Sequence, residues 1–265
     1  FADLIAGSAA TGKIYYFQNT ADGTNTFYQK VQIGYVSAGW DTGMASGDFN
    51  NDGKKDFIVS GDAPSSLSLF TGNGDGTFTQ TSIPAPSGSS QLRNKTAADF
   101  NKDGKLDMVI ANYSDGAVYL STGNGDGTFK TPVKIGTSGN DPYGVVAGDF
   151  DGDGETDIIA NTGGTGLAYL FKGNGDGTFN SLISIPSLST GNYAAFAAGD
   201  FDKDGYLDVV AANYTGKTIG FYPGKGDGTF GSKVTITTAA NATLGISASP
   251  ALADVFPALG AAETV

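Results

Sequence analysis

The sequence holds no cysteine and no histidine, a single tryptophan and two methionines in 265 residues. Without cysteine there is no disulfide framework and no thiolate nucleophile. Without histidine the usual general base, the usual catalytic triads and most zinc centres are excluded as well. No apolar run approaches the roughly 20 residues that a membrane-spanning helix needs, and long helical periodicity is missing. Positive charge is scarce: 15 Lys and Arg stand against 27 Asp and Glu, for a formal net charge of −12. A chain this acidic, with no basic stripe, is a poor partner for nucleic acid or an anionic membrane, so neither nucleic-acid binding nor membrane insertion is expected.

The acid is concentrated rather than spread. In Asp149-Phe150-Asp151-Gly152-Asp153-Gly154-Glu155-Thr156-Asp157, carboxylates fall at positions 1, 3, 5 and 9 of a nine-residue loop, with Gly at 6. Three further copies place Asp48, Asp99 and Asp200 at position 1, Asn50, Asn101 and Asp202 at position 3, Asp52, Asp103 and Asp204 at position 5, and Asp56, Asp107 and Asp208 at position 9. Position 7 holds Lys54, Lys105, Glu155 and Tyr206, side chains with nothing in common, as expected of a site that uses the backbone carbonyl there. Oxygen-only donors around a sharp turn describe a hard-cation site, and Ca²⁺, which accepts six to eight oxygens in flexible geometry, fits best. Fourteen of the 27 acidic residues stand at these positions, so the acidity reads as a requirement for four structural calcium ions. An EF-hand is excluded, because position 12 holds Val59, Ile110, Ala160 and Ala211 instead of Glu. Short apolar runs such as Met108-Val109-Ile110 follow each loop, which makes it the turn of a β-hairpin.

A second motif keeps step. Gly72-Asn73-Gly74-Asp75-Gly76-Thr77-Phe78 recurs at 123–129, 173–179 and, with Lys225 in place of Asn, 224–230, with a looser version at 21–27, and the closing phenylalanines lie 51, 51, 50 and 51 residues apart. Its spacing is not that of a phosphate-cradling loop, and a tight structural turn is the expected role. A period near 50 with several short strands per unit signals a propeller. In one unit the strands are expected at 144–150, 156–161, 167–172 and 178–185. The expected architecture is an all-β, five-bladed β-propeller of four-stranded antiparallel blades forming a single domain, residues 1–257. Its blades fall at about 1–39, 40–91, 92–142, 143–193 and 194–243, and 244–250 joins the first blade as its missing strand. Residues 245–249 match 144–148 in type, so pairing of the N- and C-terminal strands would close the ring and remove exposed edges. In the closing blade Asp3 keeps the position-9 carboxylate, whereas Pro250, Leu252 and Asp254 stand where other ligands should be. Residues 258–265 form a tail without assignment. Phe1 falls partway through a unit, so a processed or trimmed chain is expected. In a rival closure the C-terminal strand completes a neighbouring molecule and builds a filament.

Asp-Phe-[Asn/Asp]-x-Asp-Gly-x-x-Asp followed by Gly-Asn-Gly-Asp-Gly-Thr-Phe resembles the FG-GAP (VCBS-type) repeats found in the propeller of integrin α chains, in fungal propeller lectins and in secreted bacterial proteins. The resemblance implies a propeller with calcium in the hairpin between the first two strands of a blade, where the metal stiffens the fold. It implies function less firmly, since such propellers serve adhesion and carbohydrate binding and occasionally act as polysaccharide lyases.

The metal hairpins and Gly-Asp-Gly turns share one face of a propeller. On the other, the sequence gathers Trp40, Tyr143 and Tyr193 in the crossovers and Asn112-Tyr113 and Asn213-Tyr214 in equivalent turns. Aromatic platforms beside amide hydrogen-bonding groups suit a sugar; packing between blades would use the same residues. Asn112 and Asn213, like Asn94 and Asn241, also lie in Asn-x-Ser/Thr sequons, so a eukaryotic secretory route could glycosylate them. The expected function is a non-catalytic, secreted or cell-surface binding module, lectin-like or adhesive, with a glycan or extracellular protein as partner. The alternatives are a subunit of a self-assembling extracellular filament and a carbohydrate-active enzyme such as a polysaccharide lyase; the absent histidine argues against the enzyme.

Overall fold

The computed structural model describes residues 3–237 apart from 9, 21–25, 29, 38–42, 62–65, 138, 140–141, 163–165, 181, 187, 189–194 and 214–216. Every regular element among the described residues is a strand. Blade one contains β1 (Leu4–Gly7), β2 (Lys13–Phe17) and β3 (Val31–Tyr35). Blade two contains β4 (Met44–Gly47), β5 (Asp56–Gly61), β6 (Ser66–Gly72) and β7 (Phe78–Ile83). Blade three contains β8 (Leu92–Ala98), β9 (Asp107–Asn112), β10 (Ala117–Ser121) and β11 (Val133–Thr137). Blade four contains β12 (Val145–Gly148), β13 (Asp157–Asn161), β14 (Ala168–Phe171) and β15 (Ile183–Ile185). Blade five contains β16 (Ala195–Gly199), β17 (Asp208–Asn213), β18 (Thr218–Tyr222) and β19 (Val234–Thr237).

Each blade is an antiparallel meander in chain order, and together they make a five-bladed all-β propeller. Blade one shows three strands and the others four. The expected fourth partner, 244–250, and the tail 258–265 lie outside the described residues.

The apolar runs after each loop are continuous rather than alternating because both faces of the second strand are covered. In β9, Met108 and Ile110 pack with Phe49, Ile58 and Leu69 of blade two, whereas Val109 and Ala111 pack with Val145, Ile158 and Ala160 of blade four. The same division of odd and even positions recurs at each described seam. The first strands of blades two to five, β4, β8, β12 and β16, line a cavity of about 260 Å³.

The outer strand departs from the expected continuous run 178–185. In blade two pairing is unbroken from Gly72–Phe78 to Leu67–Ile83. In blade four the continuous pairing covers only Ile183–Ile185, with a separate bridge between Gly173 and Phe179. In blades one and three the last two strands shift register between Ile14 and Tyr15 and between Val118 and Tyr119, irregularities of the bulge type that bend the outer edge.

Candidate metal centres and the face opposite them

Each nine-residue loop joins the first and second strands of its blade, and its position-9 aspartate opens the second strand. That residue is fully enclosed: Asp56 is 1% exposed, and Asp107, Asp157 and Asp208 are 0% exposed. Its two oxygens accept two backbone N–H groups from different parts of the blade. Asp107 Oδ2 accepts from Phe100 at 3.1 Å and Oδ1 from Gly123 at 2.9 Å. The other three repeat this pairing, with Phe49 and Gly72, Phe150 and Gly173, and Phe201 and Gly224. The carboxylate thus clamps the loop to the start of the Gly-Asn-Gly-Asp turn. The motif's first residue is glycine because of close approach: a Cβ on Gly123 would lie 2.1 Å from the Leu106 carbonyl oxygen. Asp3 makes half of this clamp in blade one, accepting one backbone N–H, that of Asn19 at 2.8 Å, and the Tyr16 hydroxyl at 2.6 Å. Two phenolic hydroxyls bonded to acids are hard to ionise: burial and the Asp3 bond push Tyr16 up to about 12, and on the far face the Asp115 bond followed by burial takes Tyr119 to about 12.

Positions 1, 3 and 5 turn their oxygens into the loop. Asp48 Oδ1 and Oδ2 accept from Asp52 N and Gly53 N, Asn50 Oδ1 accepts from Asp52 N, and Asp52 Oδ1 accepts from Lys54 N. The 99–107 and 200–208 loops repeat the set. Asp149, Asp151 and Asp157 each bring one oxygen within 4.8 Å of the others, as do Asp200, Asp202 and Asp208. Position 4 is left-handed even where it is not glycine, with φ of 57° at Asn51, 56° at Lys102 and 63° at Lys203. Burial pushes the carboxyls of Asp56, Asp107 and Asp208 above their usual range and that of Asp157 up to about 6. Burial and then the neighbouring Asp204 raise Asp202, whereas the Lys54 amide holds Asp52 low. Converging hard oxygens whose ionisation is resisted without a counter-charge are a donor set that could hold a divalent cation.

Position 7 behaves in three ways. Lys54 and Lys105 turn back on Asp52 and Asp103 at 3.4 and 3.6 Å, and Tyr206 is 48% exposed. Glu155 Oε1 receives Lys102 Nζ from the neighbouring loop at 2.6 Å. Lys172, which the sequence reading missed, pairs with Asp151 Oδ2, and that bond raises its own pKa. It stands directly before a Gly-Asn-Gly-Asp turn where Thr71, Thr122 and Pro223 stand in the other blades, so no repeat signalled it.

The loops also fasten blade to blade. Gly127 N donates to Phe49 O at 3.0 Å, Gly177 N to Phe100 O at 3.0 Å, and Gly228 N to Phe150 O at 2.9 Å. The closing phenylalanine of each turn packs on position 2 of the preceding blade's loop: Phe129 on Phe49, Phe179 on Phe100 and Phe230 on Phe150, at 5.7, 5.9 and 6.1 Å. The common step of the two motifs was the sequence signal of this contact.

On the opposite face, Trp40, Tyr193 and Tyr214 lie outside the described residues, and Asn213 ends β17 with its side chain outside them too. Asn112 is 1% exposed, and its Oδ1 accepts from Ser114 N at 3.2 Å, so it shapes the turn from within. Tyr113 and Tyr143 meet edge to face at 5.3 Å. The buried Arg93 guanidinium lies 4.8 and 5.0 Å from their ring centres, and its Nη2 donates to Gln91 Oε1 at 2.9 Å. These two rings are therefore brought together as a cation–π clamp across blades three and four.

Antiparallel blades stapled through acidic hairpins and glycine turns define the class: a repeat propeller with carboxylate loops. The chain belongs to the FG-GAP-like repeat family, whose sequence pattern matches residues 1–59, 48–110, 99–160, 149–211 and 200–255. No curated protein matches it. Among solved structures it is similar to an Agrocybe aegerita lectin described as recognising non-reducing terminal N-acetylglucosamine, with 23% identity and a TM-score of 0.59 over 88% of this chain and 65% of the lectin. It is also similar to part of the Photorhabdus luminescens Tc holotoxin pore, with 17% identity and a TM-score of 0.50 over 91% of this chain and 11% of that one. At these identities the likeness is one of fold.

Proposed function

We propose that this chain is a non-catalytic, extracellular binding module whose blades are stiffened by calcium in the four hairpin loops and whose ligand is a glycan. The observation that carries the metal reading is the convergence of carboxylate oxygens in the 149–157 and 200–208 loops, on a loop form that the 48–56 and 99–107 hairpins repeat, with three of the four loops held to the neighbouring blade through Gly127, Gly177 and Gly228. The residues that would hold the ion are the side chains at positions 1, 3, 5 and 9, with the backbone carbonyls of Lys54, Lys105, Glu155 and Tyr206. A bound ion would neutralise the clustered carboxylates and fix the loop against the next blade, so metal stability and blade packing become one quantity. Ligands that bind only the folded state stabilise it by mass action, by about 2.7 kcal/mol per site at a hundredfold excess over Kd.

The glycan reading is supported by the likeness to the lectin. With Tyr113 and Tyr143 occupied by Arg93, the remaining candidates for a sugar platform are Trp40, Tyr193 and Tyr214. A glycan array with the calcium-loaded chain tests the reading: it expects retention of particular sugars, and uniform silence alongside turnover of an acidic polysaccharide would replace it with an enzyme. Melting with and without chelator tests the metal separately, with a clear fall in Tm expected on chelation.

A further inference from the structure

We infer that Lys172 is a tethered competitor for the cation of blade four, which makes the 149–157 loop the weakest of the four calcium sites. The inference rests on the metal reading proposed above.

The 149–157 loop is the most acidic of the set. It carries Asp149, Asp151, Asp153, Glu155 and Asp157, five carboxylates, against three in each of the first two loops and four in the last. Two ammonium groups from outside the loop answer this excess. Lys102 draws Glu155 toward the neighbouring loop at 2.6 Å. Lys172 Nζ pairs with Asp151 Oδ2 and lies 3.9 Å from Asp153 Oδ2. The Asp151 side chain is only 5% exposed, and one of its carboxylate oxygens converges with oxygens of Asp149 and Asp157 within 4.8 Å. The ammonium is therefore bound to a carboxylate that a divalent ion at this loop would need.

No other blade places a charge there: the equivalent residues are Thr71, Thr122 and Pro223. To coordinate Asp151, a divalent ion must first break a charge-assisted bond and send the lysine to solvent, or else bind beside a like charge. Lys172 is itself 33% exposed, so it can leave along an open path. Loss of one such partly exposed pair corresponds to roughly a two- to fivefold reduction in affinity. The same ammonium keeps the blade-four loop neutralised at calcium concentrations that leave it empty.

The test is calcium titration of the chelator-stripped full chain by calorimetry, with ions counted by equilibrium dialysis. Native protein is expected to show three tight sites and one about two- to fivefold weaker. Lys172→Thr, the residue of two sister blades, and Lys172→Met, which keeps the chain length without charge, should each bring the weak step level with the others. Asp149→Asn should abolish that weak step and leave the three tight ones. Four equal sites in native protein, a Lys172→Met isotherm that superimposes on the native one, or loss of a tight site in Asp149→Asn would overturn the inference while leaving the metal reading intact. Retention of no calcium by native protein would overturn both.

Discussion

The position-9 aspartates give the sharpest separation of backbone clamping from metal binding. Replacing Asp107 by Asn keeps the shape but leaves one oxygen where two backbone N–H groups, from Phe100 and Gly123, now bond at 3.1 and 2.9 Å. The new amide NH₂ faces a donor, so one buried N–H loses its acceptor. A lost bond to a charged acceptor is worth about 1.5–3 kcal/mol, and a stranded buried N–H costs about 1–3. Relief of the burial that holds Asp107 above its usual pKa offsets part of this, which leaves a net loss of about 2–3 kcal/mol. For a chain of this size that is roughly 5–10 °C in Tm. Circular-dichroism melts in chelator should show the whole of this loss, and melts in calcium should show more, because the ion has also lost a ligand. Asp3→Asn gives a second measure of a carboxylate acceptor: Asp3 accepts from Asn19 N and Tyr16 Oη, and its replacement should also lower the Tm in chelator. If Asp107→Asn melts with the native chain in chelator, the clamp contributes nothing and the reasoning fails.

Three further outcomes follow from the same geometry. Gly123→Ala should cost more than about 3 kcal/mol, as overpacking against rigid backbone at 2.1 Å does, measured by urea unfolding. Arg93→Met should lower stability by about 2 kcal/mol in the same assay, since the two-ring clamp is lost while the stem volume stays. The pH dependence of the metal-free chain should fall in a defined window. Asp157 has a folded pKa of about 6, above its unfolded value of about 4, so its ionisation opposes folding once pH exceeds the unfolded value. Metal-free protein should therefore lose stability between about pH 4 and 6 as the pH rises at this group, whereas calcium affinity should fall as the pH drops through the same range. Melts in chelator and calcium titrations at several pH values check the two opposite slopes.

The repeating parts of the architecture were open to sequence reading because each rests on a local rule. The loops announce themselves through oxygen-bearing residues at fixed offsets, the turns through glycine pairs, and the blade count through their shared period. What stayed hidden involves partners set by the packing of neighbouring strands and blades. Arg93 meets Tyr113 only because β8 runs beside β9, and Tyr143 only because blade four follows blade three. Lys172 occurs once, so periodicity could not flag it. The bulges in the outer strands insert one residue without changing composition. Asn112 was read as a surface amide on its position in a turn, but its carbonyl is needed inside that turn by Ser114 N.

The most direct test of the calcium-pinned propeller is a crystal structure grown in ample calcium, with anomalous scattering measured to locate the ions. Four peaks are expected, each surrounded by the oxygens of one nine-residue hairpin, with the weakest beside Lys172. Empty hairpins under those conditions would contradict the account.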